Sequence, residues 1–534
     1  MRAGVMIRAL RIILALWLAL VSIANPALAT PQIGLTLFGQ AHLGQSVIDL
    51  NFAKGPPYYL KGAAGPLTES RSTSATCFDQ SNNLVQVAAF VPCIAGGQLW
   101  SYEARTNSTR NNSNVTAAVI GVIGSGGVLP ANWVISNLTS GVVVSVSALP
   151  VANGYQQVTL NFNGTPGTSG TIYVSPEPGG GNVVPATYGQ TWSKSVIASF
   201  SNTTNIGASS GPFFYELNSG GGGLLQHLLS ATTPLTPTRV SVSATNSNVS
   251  TAQLFSGYQI QVTSGLAVNF NITLALDQLE LNPNLPGSVA SATVAGGGSL
   301  YVGASGTMTY SGTGCTTNPV LNVTTSAGAI NAVTSVATAG VCTTLPVAGS
   351  TAWTPGGGLS AGSGASFTLT PTNNAAQAFP TPPILTTNAA VTRNESRVSI
   401  ATQSCANPSL LAIGTPSAPA NTFQQAIAII TNGSQTPSLQ VYRALGQSYF
   451  AAGGAFPGPN TTWTTGVSGK IASSINGTTM TDVFNNGAPS TGTNTALGSM
   501  NLLGIGNAPV FGAQAWNGGI SRVALACGSS LTGY

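Results

Sequence analysis

Apolar side chains recur at every second position in short runs, and clusters of Gly, Pro, Ser, Thr and Asn separate the runs. The clearest case is 268–276, where Val268, Phe270, Ile272, Leu274 and Leu276 alternate with Asn269, Asn271, Thr273 and Ala275. A period of two sends alternate side chains to opposite faces, so this segment predicts a strand with one buried face. Val158, Leu160 and Phe162, then Val240 and Val242, then Tyr258, Ile260 and Val262 repeat the pattern. With 65 glycines, 32 prolines and only 5% charged residues, little is left from which to build helix surfaces. Short alternating strands with frequent turn signals predict an all-β chain of tandem sandwiches.

At 534 residues the chain exceeds what one core can organise, since single cores stop growing at about 250 to 300 residues. Residues 1–29 carry Arg2, Arg8 and Arg11, an apolar run from Ile12 to Val21, and a closing Ala27-Leu28-Ala29. That order reads as a secretory signal peptide cleaved after Ala29, giving a secreted or cell-surface protein; the apolar run is short for a membrane span. Cleavage would leave 12 basic against 10 acidic side chains and lower the formal charge from +5 to +2. No stripe of Lys and Arg with interleaved aromatics remains, so nucleic acid is excluded as a partner, and no second run approaches membrane length. Six cysteines in an exported chain predict disulfides, with fifteen connectivities open to them.

Charges are scarce, yet Glu69, Arg71, Asp79, Glu103, Arg105 and Arg110 cluster between Leu67 and Asn114. In that stretch Thr68–Thr76, Asp79, Leu84–Pro92 and the run Gly97 to Glu103-Ala104-Arg105-Thr106-Asn107 resemble the opening of a family of phage structural proteins of tail-fibre and head-fibre type. Val47-Ile48-Asp49-Leu50-Asn51-Phe52 is similar to the short strand that precedes it there. Gly189-Gln190-Thr191-Trp192-Ser193 and Gln278-Leu279-Glu280 resemble steps of a carbohydrate-binding-module-like jelly roll. Tyr301-Val302-Gly303 and Gly362–Thr370 resemble a small Gly/Thr-rich module of phage fibres, and Pro382–Arg393 resembles the family's next segment. Leu502–Gly506 and Trp516–Leu525 are similar to a concanavalin A-like or laminin G-like sandwich. After the expected signal peptide over 1–29, which the phage family does not need, the resemblance implies an N-terminal phage-like module over 30–114, a jelly roll over 115–282, an inserted module over 283–378 and a final sandwich over 379–534. Placement within these units favours the pairs Cys77–Cys93, Cys315–Cys342 and Cys405–Cys527. For the last pair, the first and last strands of the final sandwich are expected side by side. Glu69, Arg71, Glu103, Arg105, Glu280 and Arg393 are expected as structural ion-pair residues that dock the N-terminal module on the jelly roll.

Catalytic chemistry finds little support. Glycoside hydrolysis needs two carboxylates across one sugar bond, but Asp277 and Glu280 lie three apart on a predicted strand and so face opposite ways. Gly207-Ala208-Ser209-Ser210-Gly211 matches a nucleophile elbow in a chain rich in both residues, with only His42 and His227 as bases. No catalytic residue, metal ligand set or cofactor is expected. Calcium stays open because sandwich lectins bind it through Asp, Asn and backbone oxygens, though no dense Asp/Asn loop marks a site. Trp463, in the polar run Pro459–Thr465, and Tyr58-Tyr59, after Pro56-Pro57, are expected as exposed rings for stacking on sugar. The functional expectation is therefore a non-catalytic adhesion protein with a glycan partner. A phage or prophage virion protein is the alternative and a secreted polysaccharide-active enzyme the third class. Oligomeric state is left open.

Overall fold

The computed structural model describes residues 47–527 outside several segments, the longer being 56–62, 177–183, 373–379, 418–424, 433–437, 453–460 and 507–515. The expected signal peptide, His42, Tyr58 and Tyr59 lie outside the described residues. Among those described, the regular structure is strand, with one short 3-10 turn at Phe52–Lys54 and no α-helix. It is all-β, as the alternation predicts.

The first sandwich packs a nine-stranded sheet on a six-stranded one. Strands Val158–Gly164 and Val268–Leu281 pair with Leu160 opposite Ile272 and Phe162 opposite Phe270, whose rings stack at 5.2 Å. These side chains meet Ile172, Val174, Tyr258, Ile260 and Val262 of the facing sheet in one core. The inward period breaks at Leu276, whose φ of 52° lies in the left-handed region. Beyond it Leu279 and Leu281 join a second apolar cluster with Trp192 and Phe214.

The inserted module builds its own core from Met308, Tyr310, Leu321, Trp353, Phe367 and Leu369, with Cys315 bonded to Cys342. It is seated on the first sandwich. The Tyr188 hydroxyl donates to the Leu369 carbonyl, and Leu345 packs against Gly189. Gly189 has φ +82°, and a Cβ there would lie 2.6 Å from Leu345 Cδ1, so a side chain would push the module away.

The second sandwich is assembled from both ends of the chain. Strand Val47–Asn51 pairs antiparallel with Gly518–Cys527, running from Val47 opposite Ala526 to Asn51 opposite Arg522. Strand Gln98–Ser101 pairs with the start of that same strand, and Thr68–Glu69 pairs with Val398–Cys405 in the facing sheet. Ile48, Leu50, Phe52 and Leu99 therefore share a core with Ile400, Leu503, Trp516 and Val523. Residues 47–101, expected within a separate N-terminal module, supply strands to this sandwich.

Cys77 is bonded to Cys93 and Cys405 to Cys527, which completes the three pairs expected from placement. The geometry expected for the last pair needs correction. Val398–Cys405 lies in the seven-stranded sheet and Gly518–Cys527 in the eight-stranded one, flanked there by Pro408–Pro416 and the N-terminal strands. The bond thus joins the two layers, because the chain crosses from one sheet to the other between Cys405 and Pro408.

Candidate functional site

Trp463 is not an exposed stacking ring. It is 1% exposed, sits 5.0 Å from the Trp516 ring and 5.2 Å from Phe484, and donates its indole N–H to the Val467 carbonyl at 3.2 Å. Gly469 packs flat against the indole, where a Cβ would come within 2.5 Å. Polar neighbours in sequence disguised a core position because the chain turns sharply at Gly466 (φ +78°) and folds the ring inward.

The six expected ion-pair residues are all buried. Arg105 donates through Nε to Glu103 at 2.6 Å and through a terminal nitrogen to the Leu281 carbonyl at 2.9 Å, so it ties the N-terminal segment to the first sandwich. Glu69 accepts from the Arg71 and Arg397 amides and from the Ser396 hydroxyl, while the Arg71 side chain donates to the Val91 carbonyl at 2.7 Å. Glu280 accepts the Thr381 amide at 2.8 Å and the Thr381 hydroxyl at 2.5 Å. Arg393 lies over the Tyr102 ring at 4.7 Å, and burial pushes its guanidinium down to about 10. Arg239, which the sequence reading did not single out, completes the cluster by donating to the Ser195 hydroxyl at 2.9 Å and the Thr381 carbonyl at 2.5 Å. Burial lowers its pKa against the opposing charge of Glu280. These groups hold Thr381–Thr386 in place at the junction of the two sandwiches.

The described contacts of the nucleophile-elbow serine are backbone ones. Ser209 uses its amide on Gln261 and its carbonyl on Gln259. His227 instead contacts Glu216 at 2.8 Å. Burial alone would raise the Glu216 carboxyl, but His227, the Thr251 hydroxyl and the amides of Ser247 and Asn248 together hold it below its ordinary value. Asp277 and Glu280 do lie on different faces, the first against Lys194 and the second against Thr381.

What the structure offers to solvent is a hollow of about 390 Å3 at one end of the first sandwich, lined by Asn163, Thr165, Asn202, Thr204 and Asn269 with backbone from Gly164, Ala267 and Val268. Its walls are set by strand ends. The amide of Asn202 donates to the Asn269 carbonyl at 2.9 Å while its oxygen accepts the Thr204 amide at 3.1 Å, which fixes the loop over the sheet. Gly164 (φ +136°) lets the floor close, because a Cβ there would sit 2.0 Å from the Gly141 carbonyl oxygen.

Beside the hollow lies the outer face of the same sheet. Because Phe162, Phe270 and Ile272 point inward, Asn161, Asn163, Asn269 and Asn271 point outward in facing pairs, with Asn161 donating to Asn271 at 3.0 Å and Thr159 bonded to Thr273 at 2.9 Å. The lining is uncharged and rich in amide and hydroxyl groups. Such a surface hydrogen-bonds a polyol through donors and acceptors in both directions. The sequence carried this signal in the polar half of its clearest alternation, which was read only for its apolar half.

The chain matches no protein-family model and no curated protein sequence. Among solved structures, it is similar at 14% identity and TM-score 0.25 to carbohydrate-binding modules of the β-sandwich superfamily, over 44% of this chain and 85% of that one. Domain 4 of AbnA, an extracellular arabinanase from Geobacillus stearothermophilus in complex with arabinotriose, overlaps 27% of this chain and 71% of its own at 14% identity and TM-score 0.21. Mouse laminin α1 domains LG4-5 overlap 64% of this chain and 84% of their own at 7% identity and TM-score 0.19.

Proposed function

We propose that this chain is an exported, non-catalytic adhesion protein that holds a neutral glycan in the asparagine- and threonine-lined hollow of its first sandwich. The observation that carries the reading is the lining itself: amides and hydroxyls fixed on a rigid sheet, with no ionic side chain among them. Sugar hydroxyls exchange hydrogen bonds with such groups at little net cost, whereas an ionic ligand would find no counter-charge there. Rigid strands also position the amides before binding, which limits the ordering cost of association. Three disulfides suit an oxidising compartment, and no helix among the described residues is long and apolar enough to cross a membrane.

The test is a glycan array probed with the full chain. Retention on neutral polysaccharides, lost in Asn163→Ala/Asn269→Ala, supports the reading. Binding confined to charged glycans, or unaffected by that double change, overturns it. Release of new reducing ends from a bound polysaccharide would move the chain to the enzyme class. Recovery of the protein in purified virions would favour the phage structural role that the order of its N-terminal motifs resembles.

A further inference from the structure

Inside the first sandwich, between its two apolar clusters, Lys194 and Asp277 meet side chain to side chain. Lys194 lies on strand Thr191–Phe200 and Asp277 on the adjacent antiparallel strand Val268–Leu281, where Lys194 is registered with Leu279. The lysine side chain is 0% exposed and the aspartate side chain 3%. The left-handed Leu276 immediately before Asp277 resets the strand's alternation, so Asp277 turns toward Lys194 while Glu280 turns to the other face. Ser256 of the opposite sheet receives a long hydrogen bond from Lys194 Nζ at 3.4 Å, and the Thr109 hydroxyl donates to Asp277 Oδ1 at 3.2 Å.

We propose that Lys194 and Asp277 condense into an intramolecular isopeptide bond that covalently joins these two strands. With the shared proton on the carboxyl, Nζ carries a lone pair and Cγ belongs to an un-ionised acid. The C–N bond forms, the Cγ–OH bond breaks, and the departing hydroxyl takes a proton from nitrogen and leaves as water. The product is a neutral amide. No oxidant, reductant or second substrate is required.

Three features favour the step. The pair is held in contact by two neighbouring strands, so attack is intramolecular and needs no encounter. Asp277 is held above its ordinary carboxylate range by burial, which outweighs the opposing influence of Lys194 and Thr109 and favours the protonated acid that can lose water. A buried ion pair retains a desolvation cost that a neutral amide does not carry. The bond would close a loop across 83 positions of sequence, on the strand that also supplies Asn269 and Asn271 to the proposed adhesive face.

Mass spectrometry on the folded full chain, denatured and reduced only after purification, decides the matter. The expected result is the loss of one water, about 18 Da, with digestion giving a branched peptide that joins the segments containing Lys194 and Asp277. Lys194→Met and Asp277→Ala should each show the unmodified mass, but the wild-type spectrum stands even if those variants fail to fold. Recovery of both segments as linear, unmodified peptides overturns the proposal. So does a water loss confined to one linear peptide.

Discussion

The two sandwiches are built from similar strands but close in different ways. Apart from the short strands Arg105–Asn107 and Val391–Arg393, the first takes its strands from one stretch, Gly121 to Leu281, so most of its strands find their partners within that stretch. The second needs residues from both ends of the chain: Asp49 meets Arg522 across 473 positions, with two hydrogen bonds of 2.8 and 2.6 Å. The first turns the facing pairs Asn161–Asn271 and Asn163–Asn269 to the outer side of its sheet, whereas the second buries polar side chains such as Gln425, Ser473 and Asp482 within its sheets. Local pattern therefore announces a strand's existence in both sandwiches but its partner only in the first. The function we propose belongs to the first, and the second is a closure.

If that division holds, changes in the second sandwich should lower stability and leave glycan retention by folded protein intact. Trp463→Ala removes a ring packed against Trp516 and Phe484 and should cost about 3 to 5 kcal/mol in chemical denaturation. Loss of glycan binding in that variant while it remained folded would restore Trp463 as a contact residue and break the comparison.

The next effect belongs to the junction. Glu280→Ala strips the Thr381 amide and hydroxyl of their acceptor and leaves buried Arg239 and Arg393 without the opposing charge. The expected loss is about 3 kcal/mol, read as a lower denaturation midpoint. Because the cluster ties both sandwiches to Thr381–Thr386, their two unfolding transitions should also separate. A single unchanged transition would show that these charges do not couple them.

A smaller effect should follow pH. Asp482 lies in the second sandwich opposite Ser473, 1% exposed, and among the described residues neither its carboxylate oxygens nor the Ser473 hydroxyl has a hydrogen-bond partner. Burial raises its carboxyl to about 7, above the 3.8 of the free side chain. Between those values the folded chain holds a proton that the unfolded chain releases, so the stabilisation is full below about pH 4 and is lost as pH rises through 7. Asp482→Asn should flatten that dependence and, above pH 7, add roughly 1 to 3 kcal/mol. A wild-type stability that rises from pH 4 to 7 in the second transition, or a variant with the same slope, would remove Asp482 as the cause.

Much of the fold was legible. The apolar half of 268–276 predicted its strand, and placement along the chain picked the three cystine pairs. Strand pairing across hundreds of residues was not legible, because Val47–Asn51 carries an alternation that suits any sheet edge. The layer-bridging position of Cys405–Cys527 escaped for the same reason. Trp463 was misjudged since the residues that bury it, Phe484 and Trp516, lie outside its local window. Arg239 and Lys194 were passed over because a lone cation in a strand looks solvent-facing until the opposite element is known.

The smallest effect on stability should bring the largest on function. Asn163→Ala and Asn269→Ala are exposed changes expected to alter stability by less than about 0.5 kcal/mol. The decisive measurement is calorimetric titration of a neutral oligosaccharide into the wild type and into the double variant, both folded with the same denaturation midpoint. The account predicts saturable heat in the wild type and at least about a tenfold weaker affinity in the variant, two or more hydrogen bonds being lost. Equal affinities in the two proteins would contradict it.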